Sequence, residues 1–266
     1  MTVLKTRDDG SEITLRDVQL KTLEILLEFD RICKKHDIEY ALSYGTALGA
    51  VRHSGFIPWD DDVDVMMDYD NYDKLLSILD QEMSEDYYYH CIENCKKYNI
   101  LIPNMKFRMK NTFVEEQNYL LRNKCEGNGL FIDVFVFDRV SESKFNYFST
   151  RIFTLSMMPF LVIIDNLGFT AFGLKKAFSN FARRYARKHK NSKYSAVNMT
   201  WVFEPLKDSR VPNEVLFPTV LMDFEGHQLP IPANYKDYLI SIYGPSYMQA
   251  PPEHKREPKH IKDIEI

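Results

Sequence analysis

Apolar residues recur at helical spacing between Leu15 and Ile32, through Val18, Leu23, Ile25, Leu26 and Phe29. That pattern predicts a helix over 15–36. Thr14 stands where an N-cap belongs, and Asp17 follows three residues later. Residues 38–43 predict a first strand and Gly45–His53 a short helix, stopped by Gly55 and Pro58. A second strand is predicted over 62–67. Asp70 is expected to cap a helix over 71–81, with Leu75, Leu76 and Leu79 as its apolar side. Further strands are predicted at 86–92, 102–109 and 129–137. The last, Gly-Leu-Phe-Ile-Asp-Val-Phe-Val-Phe, is almost wholly apolar, as a central strand covered on both faces should be. Only Asp133 interrupts it.

Residues 142–190 change character. Ile152–Ile164 is strongly apolar but contains Pro159 and stops at Asp165, so it reads as broken and too short for a bilayer, which needs about 20 apolar residues. Residues 175–190 hold seven Lys/Arg and no Asp or Glu. Phe178, Phe181 and Tyr185 share one side of that helix. A solvated helix lying on a core is the preferred reading. The alternative is a peripheral membrane contact through 152–190, resting on anionic lipid or an anionic acceptor. After 196, Glu225-Gly226 between two short apolar runs signals a hairpin. Ala233–Tyr243 fits a helix stopped by Gly244-Pro245. The expected organisation is a single unit in three parts: a core over 1–141, a helical insertion over 142–195, and a hairpin, helix and tail over 196–266.

The chemistry concentrates between Tyr44 and Val65. A Gly45-Thr46 turn opens a short helix, and Pro58-Trp59 then leads into Asp60, Asp61, Asp62 and Asp64, four carboxylates in five residues. Side chains two apart on a strand point to one face, so Asp62 and Asp64 should stand together while Val63 and Val65 enter a core. Adjacent carboxylates repel and are costly to bury unless a cation neutralises them. Hard divalent cations, Mg²⁺ or Mn²⁺, suit such oxygen ligands. Asp133 would complete a set of three acids if its strand lies beside 62–67; otherwise it is a buried salt bridge, for instance to Lys106 or Arg108. Glycine at 45 lets a ligand approach the backbone, and the helix N-terminus behind it favours phosphate. The acids do not match a calcium-binding EF-hand loop, and the chain carries no Walker loop. His90, Cys91, Cys95 and Cys125 match no standard zinc spacing.

Composition narrows the setting. The chain has 266 residues, 45% of them hydrophobic, with a formal net charge of −4, which argues against a nucleic-acid partner. The polar N-terminus does not read as a signal peptide. Four scattered cysteines do not make a secreted disulfide scaffold, so a reducing cytoplasm is the simplest expectation, with the inner face of the cell membrane as the alternative. Sixteen Tyr, 18 Phe and 2 Trp leave room for an aromatic-lined pocket.

The stretch from Gly45 through Gly-Thr-Ala-Leu-Gly-Ala-Val-Arg-His-Ser-Gly-Phe-Ile-Pro-Trp-Asp-Asp-Asp-Val-Asp-Val closely resembles the signature of the LicD family, which includes bacterial phosphocholine transferases. Asn111-Thr112, the Asp133 strand, and Pro232 through Tyr243-Gly244 to Pro251-Pro252 follow in the family's order. The resemblance covers roughly 15–256, with 142–195 as its variable part. It implies an α/β (α+β) nucleotidyltransferase-like mixed sheet flanked by helices. It also implies Gly45 and Thr46 at donor phosphates and Asp62, Asp64 and Asp133 as catalytic metal-binding acids. The implied reaction moves phosphocholine from CDP-choline to a glycan hydroxyl of teichoic acid, lipopolysaccharide or capsule, releasing CMP. Asp133 would share the metal or act as general base. Arg52, Lys106 and Arg108 are candidates to neutralise phosphate charge, and Trp59 and Trp201 to cage the quaternary ammonium. Other donors (CDP-ribitol, CDP-glycerol or a nucleoside triphosphate) and a non-catalytic choline- or glycan-binding module are the alternatives. The acceptor is expected to be a glycan or lipid-linked glycan.

Overall fold

A computed structural model describes residues 2–102, 104–118, 122, 124–167, 170–197 and 208–266. The N-terminal hairpin, β1 (Val3–Thr6) and β2 (Glu12–Thr14), runs into helix α1 (Leu15–Lys35). Thr14 caps α1 as its spacing predicts: its hydroxyl accepts from the Asp17 N–H, and Asp17 in turn accepts from the Thr14 N–H. Val18, Ile25, Leu26, Phe29 and Ile32 turn into the core and are buried. Strand β3 (Ala41–Leu42), helix α2 (Tyr44–His53), strand β4 (Asp64–Met67) and helix α3 (Tyr69–Glu82) follow. The cap of α3 is Asp68, which accepts from the Asn71 N–H, and not Asp70. Asp70 lies inside the first turn, so α3 begins two residues earlier than its apolar pattern suggests.

Strands β5 (Tyr87–Cys91), β6 (Met105–Met109), β7 (Phe113–Glu116) and β8 (Phe131–Arg139) come next. Helices α4 (Lys144–Asn166) and α5 (Phe172–Lys188) form the insertion, and β9 (Tyr194–Val197) returns to the sheet. The C-terminal part holds β10 (Val211–Pro212), α6 (Asn213–Leu216), the hairpin β11 (Thr219–Phe224) and β12 (His227–Pro232), and α7 (Tyr235–Tyr243). A 3-10 turn at Glu253–Lys255 precedes β13 (Ile261–Glu265). Gly244 ends α7 at φ 82°, a left-handed conformation that suits glycine.

The fold is α+β. Its main sheet runs β10-β9-β8-β4-β3, and β6, carrying β5, also joins β8. The β4–β8 pair is parallel and the others are antiparallel, so the sheet is mixed. β8 is the hub: its first half lies between β4 and β6 and its second half meets β9. Helices α1, α3 and α5 pack on it, which explains its nearly continuous apolar sequence. β13 pairs with β7, so the C-terminal segment returns to the middle of the chain.

Two expectations need correction. Pro159 does not break α4, and Lys144–Ile164 is long and apolar enough to cross a bilayer by length and composition. A proline inside a helix removes one backbone hydrogen bond but need not end the helix when neighbouring turns are held by packing. Here Met158 and Leu161 on either side are buried in a second apolar cluster. Cys95 and Cys125 form a disulfide, which departs from the expectation of scattered cysteines in a reducing compartment and agrees with the absence of a zinc spacing among His90, Cys91, Cys95 and Cys125. Cys33 and Cys91 are buried free thiols.

Candidate active site

The site grows out of the register of three strands. Asp64 on β4 is paired with Asp133 on β8, and Asp133 is paired on its other side with Lys106 on β6. In-register partners share a face of the sheet, so one row presents acid, acid and base. Val63, Val65, Ile132 and Val134 point to the opposite side and are fully buried, which fixes the register. The expected adjacency of Asp133 to the Asp62/Asp64 segment is therefore present, and so is the salt bridge to Lys106.

Lys106 is 1% exposed and lies 3.0 Å from both Asp133 and Glu116. Its ammonium also sits 3.4 Å from the centroid of the Phe131 ring. The buried lysine thus balances two half-buried acids and is pinned between them. Arg108, two residues along β6, does not line the cavity. It is fully buried, donates to the Gly129 carbonyl and lies over Phe131, so it braces the strand end and has no reach to a donor phosphate.

A cavity of about 630 Å³ opens over this row. Its walls include Gly45, Asp60, Asp62, Asp64, Lys106, Glu116 and Asp133, with Arg52, Lys259 and His260 at other sides. A second cleft of about 620 Å³ lies beside the Cys95–Cys125 disulfide, with Lys96, Lys97 and Lys124. It contains no acid cluster, and the chemistry belongs to the first.

Strand β4 begins at Asp64, so Asp62 precedes it where a strand was expected, yet both acids face the same cavity. The Asp64 N–H donates to the Thr46 hydroxyl at 2.8 Å. Thr46 is buried and does not line the cavity, so it positions Asp64 instead of touching donor phosphate. Gly45 does line it. A Cβ there would come within 2.6 Å of an Asp60 carboxylate oxygen, so a side chain at this position would displace that acid. Tyr44, at φ 43°, opens α2 in a left-handed conformation held by a hydrogen bond from its N–H to the Tyr238 hydroxyl.

Asp61 serves a different purpose. Its carboxylate accepts the backbone N–H groups of Lys259, His260 and Ile261 and anchors the start of β13. That anchor brings His260 Nε2 to 3.2 Å from Asp62. Among the described residues, ligand atoms of Asp61, Asp62 and His260 lie within 4.8 Å of one another, whereas Asp62, Asp64 and Asp133 share the cavity without closing to that distance. Asp61 already accepts three N–H donors, which leaves it less lone-pair capacity for a cation than Asp62 has.

Electrostatics show what the cluster lacks. Burial pushes the Asp133 carboxyl up to about 6, with Lys106 opposing and Glu116 adding to the rise. Burial also raises Asp64 well above the carboxylate range, reinforced by Asp62, Asp133 and Asp60. Asp62 is raised by burial against the pull of His260 and Lys106, and Asp60 by burial and the neighbouring Asp62 and Asp61. Asp133 Oδ1, although 3.0 Å from the Lys106 ammonium, receives no hydrogen bond. A buried carboxylate oxygen with unspent lone pairs, among acids that repel one another, fits a hard divalent cation.

Trp59 lines the cavity, but Arg52 and Arg256 stand 5.9 and 5.3 Å from its ring centroid. A ring already serving two cations is a poor seat for a third. Arg52 itself faces the cavity and donates to the Tyr247 carbonyl. Trp201 lies outside the described residues. Sequence reading missed Asp60, Glu116, Lys259 and His260 as parts of this cavity. Only Asp60 stood within the acidic run; the others reach it through β7 and β13.

The chain matches the model of a family described as LicD/FKTN/FKRP, nucleotidyltransferase domain, over residues 37–162. It is 30% identical over 276 aligned residues to the lipopolysaccharide cholinephosphotransferase LicD of Haemophilus influenzae, covering 96% of this chain and 99% of the relative. An uncharacterised protein of Rickettsia prowazekii is 33% identical over 128 residues, covering 42% of this chain and 47% of that protein.

Proposed function

The chain belongs to the LicD family and is a transferase, and from that premise we propose that it moves phosphocholine from CDP-choline to a hydroxyl of lipopolysaccharide. The acceptor oxygen forms a bond to the phosphorus bearing choline, the bond from that phosphorus to the CMP oxygen breaks, and the hydroxyl proton leaves. The products are phosphocholine-glycan and CMP. The observation that carries this reading is the row Asp64–Asp133–Lys106 facing a cavity whose rim includes the N-terminal turn of α2.

Asp62 and Asp64 are the residues that would hold Mg²⁺ or Mn²⁺, with Asp133 beside them. Such a cation, when bound, neutralises charge on the transferred phosphoryl group and on the leaving phosphate. Asp133 is held by Lys106 in a fixed orientation, where it either shares that cation or takes the acceptor proton. Gly45 admits donor phosphates close to the start of α2, and Arg52 and Lys259 add positive charge at the cavity wall. With Trp59 flanked by guanidinium groups, the trimethylammonium is assigned to the other aromatic walls, Tyr44, Phe135, Tyr243 and Tyr247. We place the enzyme on the cytoplasmic side, where an activated nucleotide donor is made.

The test is CMP release from CDP-choline, CDP-ribitol and CDP-glycerol, each with lipopolysaccharide acceptor, with and without Mg²⁺. Mg²⁺-dependent CMP release greatest with CDP-choline supports the reading. A clear preference for another CDP-alcohol overturns the donor assignment, and binding without CMP release overturns the reaction.

A further inference from the structure

Helix α4 is apolar on its exposed side as well as on the side that packs through Tyr147, Met158 and Leu161. Its inward side also carries a charged and a hydroxyl residue: Arg151, which donates to the Tyr147 hydroxyl, and Thr154, which donates to the Arg151 carbonyl. Its outward side carries Phe145, Ile152, Phe153, Met157, Phe160 and Ile163, all exposed. Phe145 is 84% and Phe160 62% exposed. From Phe145 to Ile163 no exposed residue of α4 is charged. An apolar face this long is not left to water without a partner.

The neighbouring helix supplies the charge. The Phe153 and Phe181 rings lie 5.8 Å apart, which joins α5 to the patch and adds its exposed Leu174. The remaining exposed face of α5 presents Lys176, Arg184, Arg187 and Lys188, and α5 contains no Asp or Glu. Aromatic and aliphatic side chains flanked by cations match an anionic bilayer surface, acyl chains below and phosphates above. A twofold pairing with a second copy would set the basic helix against its own image, which charge repulsion disfavours.

We propose that α4 and α5 form a peripheral docking surface for an anionic lipid bilayer, with α4 lying in the plane of the interface. An interfacial position suits this packing better than a spanning one, because one side of α4 is buried against the body of the protein through Tyr147, Met158 and Leu161. The same apolar cluster contains Ile102, which lines the carboxylate cavity. Docking through α4 therefore acts on an element contiguous with the site. The inference is independent of which donor is used.

The test is flotation of the full chain with vesicles of phosphatidylcholine alone or with about one-third phosphatidylglycerol. Binding should be at least about tenfold stronger to the anionic vesicles and should weaken in high salt. Phe160→Ser/Ile163→Ser and Arg184→Glu/Lys188→Glu should each lower it by about tenfold or more, with thermal melts unchanged because all four side chains are exposed. Absence of vesicle binding, or binding indifferent to Phe160→Ser/Ile163→Ser, overturns the proposal. So does a lipid-free dimer that the same pair of substitutions converts to monomer, which would make a second copy the occupant.

Discussion

Asp64 and Asp133 face each other in register across the parallel strands β4 and β8, and Lys106 faces Asp133 from β6. That one lysine forms ion pairs with both Asp133 and Glu116. Lys106→Met should strand Asp133 and Glu116 without a counter-charge and cost about 3–5 kcal/mol of stability at neutral pH. Adding Asp133→Asn should recover part of that loss. Denaturant melts of the two single variants and the double variant check the coupling.

Thr46 supports Asp64 from beneath. Thr46→Val keeps the shape but leaves the Asp64 N–H unpaired, and should cost about 1–3 kcal/mol and lower turnover. Thr46→Ser keeps the acceptor oxygen and should retain most of both. Thermal melts alongside CMP release separate this positioning role from direct phosphate contact, for which stability would not change.

Two glycines of α2 should fail in different ways. A Cβ at Gly49 meets the Gly55 carbonyl at 2.4 Å, a backbone clash, whereas a Cβ at Gly45 meets the Asp60 carboxylate. Gly49→Ala should mainly destabilise the fold. Gly45→Ala should mainly depress activity by displacing Asp60 within the cavity. Melting temperature and turnover, measured on both variants, give the contrast.

Acid stability has an identifiable contributor in His90, the in-register neighbour of Lys106 on β5. Burial, with the Arg108 charge adding to it, pushes its imidazole down to about 4. The folded state therefore prefers neutral His90. Its contribution is fully present above the ordinary value near 6.5 and is lost as pH falls toward 4. His90→Gln should flatten the decline in melting temperature over that window, read by melts at closely spaced pH values.

Much of this arrangement was readable from the chain, and the exceptions share a cause. The capping box at Thr14 and Asp17, the Asp133 strand and the Glu225-Gly226 hairpin are local patterns, and each is present in the structure. Local pattern also marked the acidic run, but it could not divide the labour within it. Asp61 turned out to bind the backbone of residues about 200 positions away, and His260 reaches Asp62 only because of that anchor. Lys106 and Arg108 have equal charge and sit two apart on one strand, yet only Lys106 meets Asp133. The exposed apolar side of α4 was weighed only as the alternative reading, because an apolar stripe does not say which side faces the protein.

The central claim is that Asp62 and Asp64 hold a divalent cation for phosphoryl transfer, and one measurement addresses it most directly. Melting temperature and CMP release from CDP-choline are followed as Mg²⁺ is titrated into the wild type, Asp62→Asn and Asp64→Asn. Removing a self-repelling buried carboxylate should raise the metal-free melting temperature, abolish the further rise with Mg²⁺ and lower CMP release by about a hundredfold or more. Wild-type rates of Mg²⁺-dependent CMP release from either variant would contradict the account.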